Sequence, residues 1–141
     1  MNVVIENNIS FEDYKHLRST TNWTQLKDEQ IEKLLKNTTF MVSAKVDGKT
    51  VGLGRCLFDF GYSAFLADII IEPEFQGKGI GRAVVETLID MVKKNSMVDK
   101  GGYLMFSLLA APGKSGFYEK LGFYKRVEEN GYGMCLKNTV E

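Results

Sequence analysis

The sequence predicts an α/β fold built on a mixed, largely antiparallel sheet. Three observations predict it. Alternating, β-rich stretches flank Asp47-Gly48, a pair suited to a tight hairpin turn. The run AFLADIII ending at Ile71 is nearly all apolar, as in a central strand covered on both faces. After Pro73 the apolar spacing switches to a helical period.

At 141 residues the chain is expected to form a single domain, 1–141, with enough core to need neither metal nor disulfide. Eighteen basic side chains balance eighteen acidic ones. Without a basic surplus there is no global field to hold a nucleic acid or an anionic membrane, so neither partner is expected. No apolar stretch approaches the roughly 20 residues of a membrane span. The first residues lack the marks of a secretory signal, which favours the cytoplasm. Cys56 and Cys135 sit in apolar contexts and read as buried, reduced thiols. With His16 as the lone histidine, a metal site is not expected.

In order along the chain, 2–6 reads as a short strand. Ser10 with Asp13 three positions on marks a helix start, because a serine hydroxyl can cap the first free amides. One helix or a pair then runs to about 37, with Leu26, Ile31, Leu34 and Leu35 broadly on one face. A three-stranded meander follows over 40–46, 51–58 and 62–71. Gly52 and Gly54 weaken its second strand and point to a bulge or a crowded face. Ile80, Ala83, Val84, Leu88 and Val92 give an amphipathic helix over 79–95. A buried strand at 103–109 is broken by Pro112-Gly113. A short helix at 115–121 closes at Gly122. Two last strands, 123–127 and 132–136, flank the turn Glu129-Asn130-Gly131.

The most informative segment joins the third meander strand to the following helix: Ile69-Ile70-Ile71-Glu72-Pro73-Glu74-Phe75-Gln76-Gly77-Lys78-Gly79-Ile80-Gly81-Arg82. Three alternate glycines let backbone approach a ligand closely. The first amides of the helix lack intrahelical partners and carry the positive end of its dipole. Such a junction suits phosphate or pyrophosphate, and Lys78 and Arg82 add charge. A nucleotide-triphosphate loop needs Lys-Ser/Thr after its last glycine, whereas Arg82-Ala83 follows Gly81 here. A dinucleotide fingerprint needs G-x-G-x-x-G in a parallel unit, and that spacing is absent too.

The spacing Gln76-x-x-Gly79-x-Gly81 resembles the acetyl-CoA signature of the GNAT superfamily of N-acetyltransferases. The element order is similar throughout, and Phe117-Tyr118-Glu119-Lys120-Leu121-Gly122-Phe123 resembles the family's second recurrent segment. The resemblance implies a GNAT-like acyl-CoA N-acyltransferase fold with about seven strands and about four helices. It implies acetyl-CoA as acetyl-donor substrate, its pantetheine paired with main-chain groups of Ile69, Ile70 and Ile71. Gln76, Gly77, Lys78, Gly79, Ile80, Gly81 and Arg82 would cradle the pyrophosphate. A strand amide would polarise the thioester carbonyl.

Tyr118 matches the family's usual acid toward the leaving thiolate. Family members often carry a base on the fourth strand, but the corresponding positions here, Phe65 and Ala67, are apolar. Asp68 and Glu72 are the nearest carboxylates, with a water chain as the alternative. Relatives commonly place an asparagine ahead of the short helix, where this chain has Ala111. Lys114 and Ser115 are candidates to take over that cofactor contact. Trp23, Phe58, Phe60 and Tyr62 either line an acceptor pocket or belong to the core. The implied activity is direct transfer from acetyl-CoA to a primary amine of a small molecule. A homodimer remains open, as do a non-catalytic acyl-CoA-binding or sensing module and a protein acetylase.

Overall fold

Ser10 caps the first helix as its spacing predicts, its hydroxyl accepting from the Asp13 amide at 3.1 Å. In the computed structural model, which describes residues 1–137, that helix is α1, Phe11–Ser19. It follows β1 (Val3–Glu6) and precedes α2 (Asp28–Asn37). The meander is β2 (Phe40–Val46), β3 (Lys49–Phe58) and β4 (Ser63–Ile71). A 3₁₀ turn at Pro73–Phe75 leads into α3 (Ile80–Asn95), and β5 is Met105–Leu108. Contacts divide the chain into two compact units, one Met1–Leu109 and one beginning at Ala110.

The first unit holds a five-stranded sheet in the order β1-β2-β3-β4-β5. Neighbours are antiparallel except β4 and β5, which run parallel. The β2–β3 turn is the predicted one: Asp47 and Gly48 have φ of 50° and 78°, the paired positive values of a primed hairpin turn. Helix α1 packs on one face, where Tyr14, Leu17, Ile31, Leu53 and Ile70 form a buried cluster. Helix α3 covers the other face across Gly54. A Cβ at Gly54 would stand 2.6 Å from Val84 Cγ1 and 2.9 Å from Leu88 Cδ1, so the glycine admits the helix. That is the crowded face the sequence suggests.

Two features of β4 matter for function. Its register against β3 jumps from Leu53–Ile70 to Arg55–Ala67, so Asp68 and Ile69 together oppose Gly54. This is a β-bulge, and Asp68 takes a φ of 47° within it. On its other edge β4 pairs with β5 only over Ser63–Leu66, leaving 67–71 without a strand partner there among the described residues.

The second unit contains α4 (Ser115–Glu119) and a 3₁₀ turn at Glu128–Asn130. Here the structure corrects the sequence: neither 123–127 nor 132–136 is a strand, and five strands are described rather than about seven. The polar groups of this segment find partners locally. Asn130 Oδ1 accepts from the Val127 amide at 2.6 Å, and Arg126 donates to the carbonyls of Asn130 and Gly131. Side-chain bonds of this kind compete with ladder formation. A second correction concerns the cysteines: Cys56 is buried, but Cys135 is exposed.

Candidate active site

The predicted phosphate loop is assembled from three backbone conditions. Gly77 and Gly79 have φ of 75° and 84°, and a Cβ at either would meet nothing within 4 Å. Both glycines are therefore required for their left-handed backbone, and the space beside them is open. Gly79 is the N-cap of α3, so no side chain caps that helix. The first intrahelical bond runs from the Ala83 amide to the Gly79 carbonyl at 3.2 Å, leaving the amides of Ile80, Gly81 and Arg82 ahead of it. No acidic residue stands in that first turn. The positive dipole end is thus neither capped nor neutralised locally.

Around this turn the charges are held. Lys78 and Lys49 each place an ammonium 5.8 Å from the centre of the Phe75 ring. Arg82 is exposed and pairs with Glu86 at 2.6 Å. Gln76 Nε2 donates to the Ile71 carbonyl at 3.0 Å, which ties the loop back to the end of β4. Ile70 and Ile80 are buried as whole residues, at 3% and 1% exposure.

The two carboxylates on β4 and just beyond it have different surroundings. Asp68 accepts from Tyr14 Oη at 2.5 Å, Arg55 Nε at 2.8 Å and Arg18 Nη1 at 3.4 Å. Burial first, and then the bond to Asp68, push the Tyr14 phenol up to about 12. Glu72 is buried as well. Its Oε1 lies 3.3 Å from Lys49 Nζ and 3.7 Å from His16 Nε2. Its Oε2 is buried with no hydrogen-bond partner among the described residues. A buried orphan oxygen on a carboxylate is costly, and it is where a donor from a ligand is best received.

Tyr118 lies in α4, in the second unit. Its ring meets Phe117 edge-on at 4.9 Å and Phe123 at 5.9 Å. Burial among them pushes its phenol up to about 12. Lys114 sits at the N-cap of α4, and its carbonyl accepts from the Phe117 amide at 3.1 Å. The aromatic candidates for an acceptor pocket are arranged separately. The Phe58 and Phe60 rings lie 5.3 Å apart, tilted at 45°, and Phe60 meets Phe40 edge-on at 6.0 Å; Tyr62 meets Tyr103 at 5.2 Å; Trp23 lies under the Arg18 guanidinium at 5.6 Å.

Sequence reasoning missed Tyr14, Arg18 and Arg55 as partners of Asp68, and His16 as a neighbour of Glu72. The available signal was Asp68 itself, since a charge inside an otherwise apolar strand requires partners.

Comparison with known proteins identifies the family. A family model described as the acetyltransferase (GNAT) family matches residues 7–123. An N-acetyltransferase of Pyropia yezoensis, described as uncharacterized, is 30% identical over 122 residues, covering 84% of this chain and 67% of that protein. A chloroplastic serotonin N-acetyltransferase of Oryza sativa is 36% identical over 76 residues, 54% of this chain and 35% of that enzyme. Among solved structures, a probable acetyltransferase of unknown function from meticillin-resistant Staphylococcus aureus superposes with a TM-score of 0.83. It is 27% identical and covers 97% of this chain and 100% of its own.

Proposed function

The chain belongs to the GNAT family of acetyltransferases, and from that premise we propose that it transfers the acetyl group of acetyl-CoA to a primary amine of a small molecule. Transfer is direct, within a ternary complex, and 1–141 acts as one domain. The observation that carries this reading is the glycine-led start of α3, without a side-chain cap, beside a β4 edge that, among the described residues, lacks a strand partner beyond Leu66. An extended pantetheine, with its amides, suits such an edge, as any added strand does. The pyrophosphate suits the amides of the first turn, with Lys78 and Arg82 as counter-charges. Lys114 is assigned a further cofactor contact.

The chemistry needs three things. The amine nitrogen attacks the thioester carbonyl as a free base, and a main-chain amide of β4 receives the developing oxyanion. The carbon–sulfur bond then breaks and the CoA thiolate leaves, helped by the Tyr118 hydroxyl. The proton shed by the amine goes to a base. Of the two carboxylates, Asp68 already receives three donors, whereas Glu72 keeps a buried oxygen with no donor among the described residues. Glu72 is therefore the preferred base, with His16 at its exposed side as the route to solvent.

Isothermal titration with acetyl-CoA, followed by a CoA-release assay over a panel of small amines, tests the reading. Binding with turnover of at least one amine supports it. Binding without release against any amine, peptides included, would leave a sensing module. Arylalkylamines enter the panel because of the rice relative's described substrate. The chloroplastic description of that relative also makes a plastid the rival to the cytoplasm, which imaging of a tagged chain would distinguish.

A further inference from the structure

Resting on the acyl-transfer reading, we propose that Asp68 is a positioning residue: its carboxylate pins the β4 bulge and ties the loop 20–27 to it. Four observations converge there. Asp68 occupies the left-handed region at φ 47° inside a strand, a conformation aspartate tolerates but one that breaks the extended ladder at the bulge. Its carboxylate is received by donors from two other elements, Tyr14 and Arg18 on α1 and Arg55 on β3. All three charged side chains are nearly buried, Asp68 at 13% exposure and each arginine at 12%. Finally, both guanidiniums reach onward: Arg55 to Thr38 Oγ1 at 2.6 Å, and Arg18 to the Thr24 carbonyl at 3.0 and 2.8 Å, with Trp23 beneath it.

Two cations around one buried carboxylate are a poor way to gain stability, since an apolar trio of equal volume would serve as well. What the charged set supplies is direction. Each bond fixes an angle at the one place where β4 changes register. Without the bulge, a one-residue slip would turn Ile70 and Glu72 from the α1 face to the α3 face, where Val84 and Leu88 already crowd Gly54. The peptide groups that, among the described residues, lack a strand partner toward β5 begin at the same place. Asp68 therefore sets the aim of the groups that the reaction uses, and through Arg18 it fixes the loop between α1 and α2 to the same point.

Asp68→Asn tests this, because asparagine tolerates the left-handed region as aspartate does. It removes the charge and turns one acceptor into a donor facing two guanidiniums. In the ligand-free variant, amide exchange at 67–72 should rise by ~10-fold or more beyond any change elsewhere in the sheet. With acetyl-CoA and a turned-over amine, kcat should fall by roughly 10–100-fold, the usual penalty for misplaced reacting groups, with acetyl-CoA affinity little changed. The pH profile should keep its shape. Parent-like exchange together with parent-like kcat overturns the proposal. So does loss of the acid limb of the pH profile with unchanged exchange, which would make Asp68 the base instead. Should Asp68→Asn fail to fold, Tyr14→Phe keeps both guanidiniums and the same volume; exchange at 67–72 must still rise locally, or the proposal falls. Because exchange is read without ligand, it decides the pin even if the parent binds no acetyl-CoA, a result that would remove only the acyl-transfer reading.

Discussion

A phenol held near 12, as burial holds Tyr118, lies well above an ordinary thiol. Full proton transfer from it to a CoA thiolate is uphill by roughly 5 kcal/mol, whereas a hydrogen bond to the growing charge is not. Tyr118→Phe should therefore lower the single-turnover rate by ~10²-fold, the low end for a positioned acid, while acetyl-CoA affinity stays the same. An unchanged rate would leave Tyr118 as packing between Phe117 and Phe123. Glu72→Gln makes the complementary test. It should remove the acid limb of the kcat/KM profile, and persistence of that limb would hand the proton to a water chain. At this scale the sequence shows the loop glycines and Tyr118 because each sits in a short local pattern. It hides the Asp68 partners because Tyr14 lies 54 positions away and Arg18 lies 50. Only the fold brings those residues together.

Helix α3 joins the loop to the sheet, and substitutions at its two ends of influence should separate binding from stability. Gly79→Asp places a negative side chain at a helix N-terminus, where it is welcome to the helix and hostile to pyrophosphate. Acetyl-CoA affinity should weaken by at least ~100-fold, about 2.7 kcal/mol, with circular dichroism preserved and the thermal midpoint lowered by the strain of a side chain at φ 84°; Gly79→Ala, which carries the same strain without the charge, should lose less affinity. Tight binding by Gly79→Asp would refute the phosphate loop. Gly54→Ala does the opposite. Its Cβ would press into Val84 and Leu88, so urea unfolding should show a loss of about 1–3 kcal/mol from overpacking. The elements themselves were legible where a local signal agrees with the period, as with the Ser10 cap, the Asp47-Gly48 turn and the helical apolar spacing of α3. The segments 123–127 and 132–136 read as strands from their composition. Arg126 and Asn130 instead satisfy the backbone beside them, a choice that period counting does not register.

For the molecule as a whole, alkaline pH is the direction of weakness. Burial pushes the Cys56 thiol up from 9.0 to about 11, and the Tyr14 phenol up from 10.0 to about 12. In both cases the folded state holds its proton more tightly than the unfolded chain. The stability this gives is complete below the unfolded values and is lost as pH rises through the folded ones. The urea midpoint should thus be flat toward pH 8 and fall between about pH 9 and 12. Tyr14 alone accounts for roughly 2–3 kcal/mol of that fall, and Tyr14→Phe should shrink it. A midpoint that holds steady to pH 12 would contradict the burial of both groups. Direct transfer also predicts that Cys56→Ala with Cys135→Ala keeps turnover when folded, since no covalent acetyl-cysteine is required.

The β4 edge beyond Leu66 has a further consequence, for solubility. Its peptide groups, which lack a strand partner among the described residues, are a template that any extended chain can copy, including one from a neighbouring molecule. A ligand lying along that edge would occupy the template. The protein concentrated without acetyl-CoA should scatter light sooner than the same protein saturated with it, and CoA fragments lacking the pantetheine arm should give no such protection.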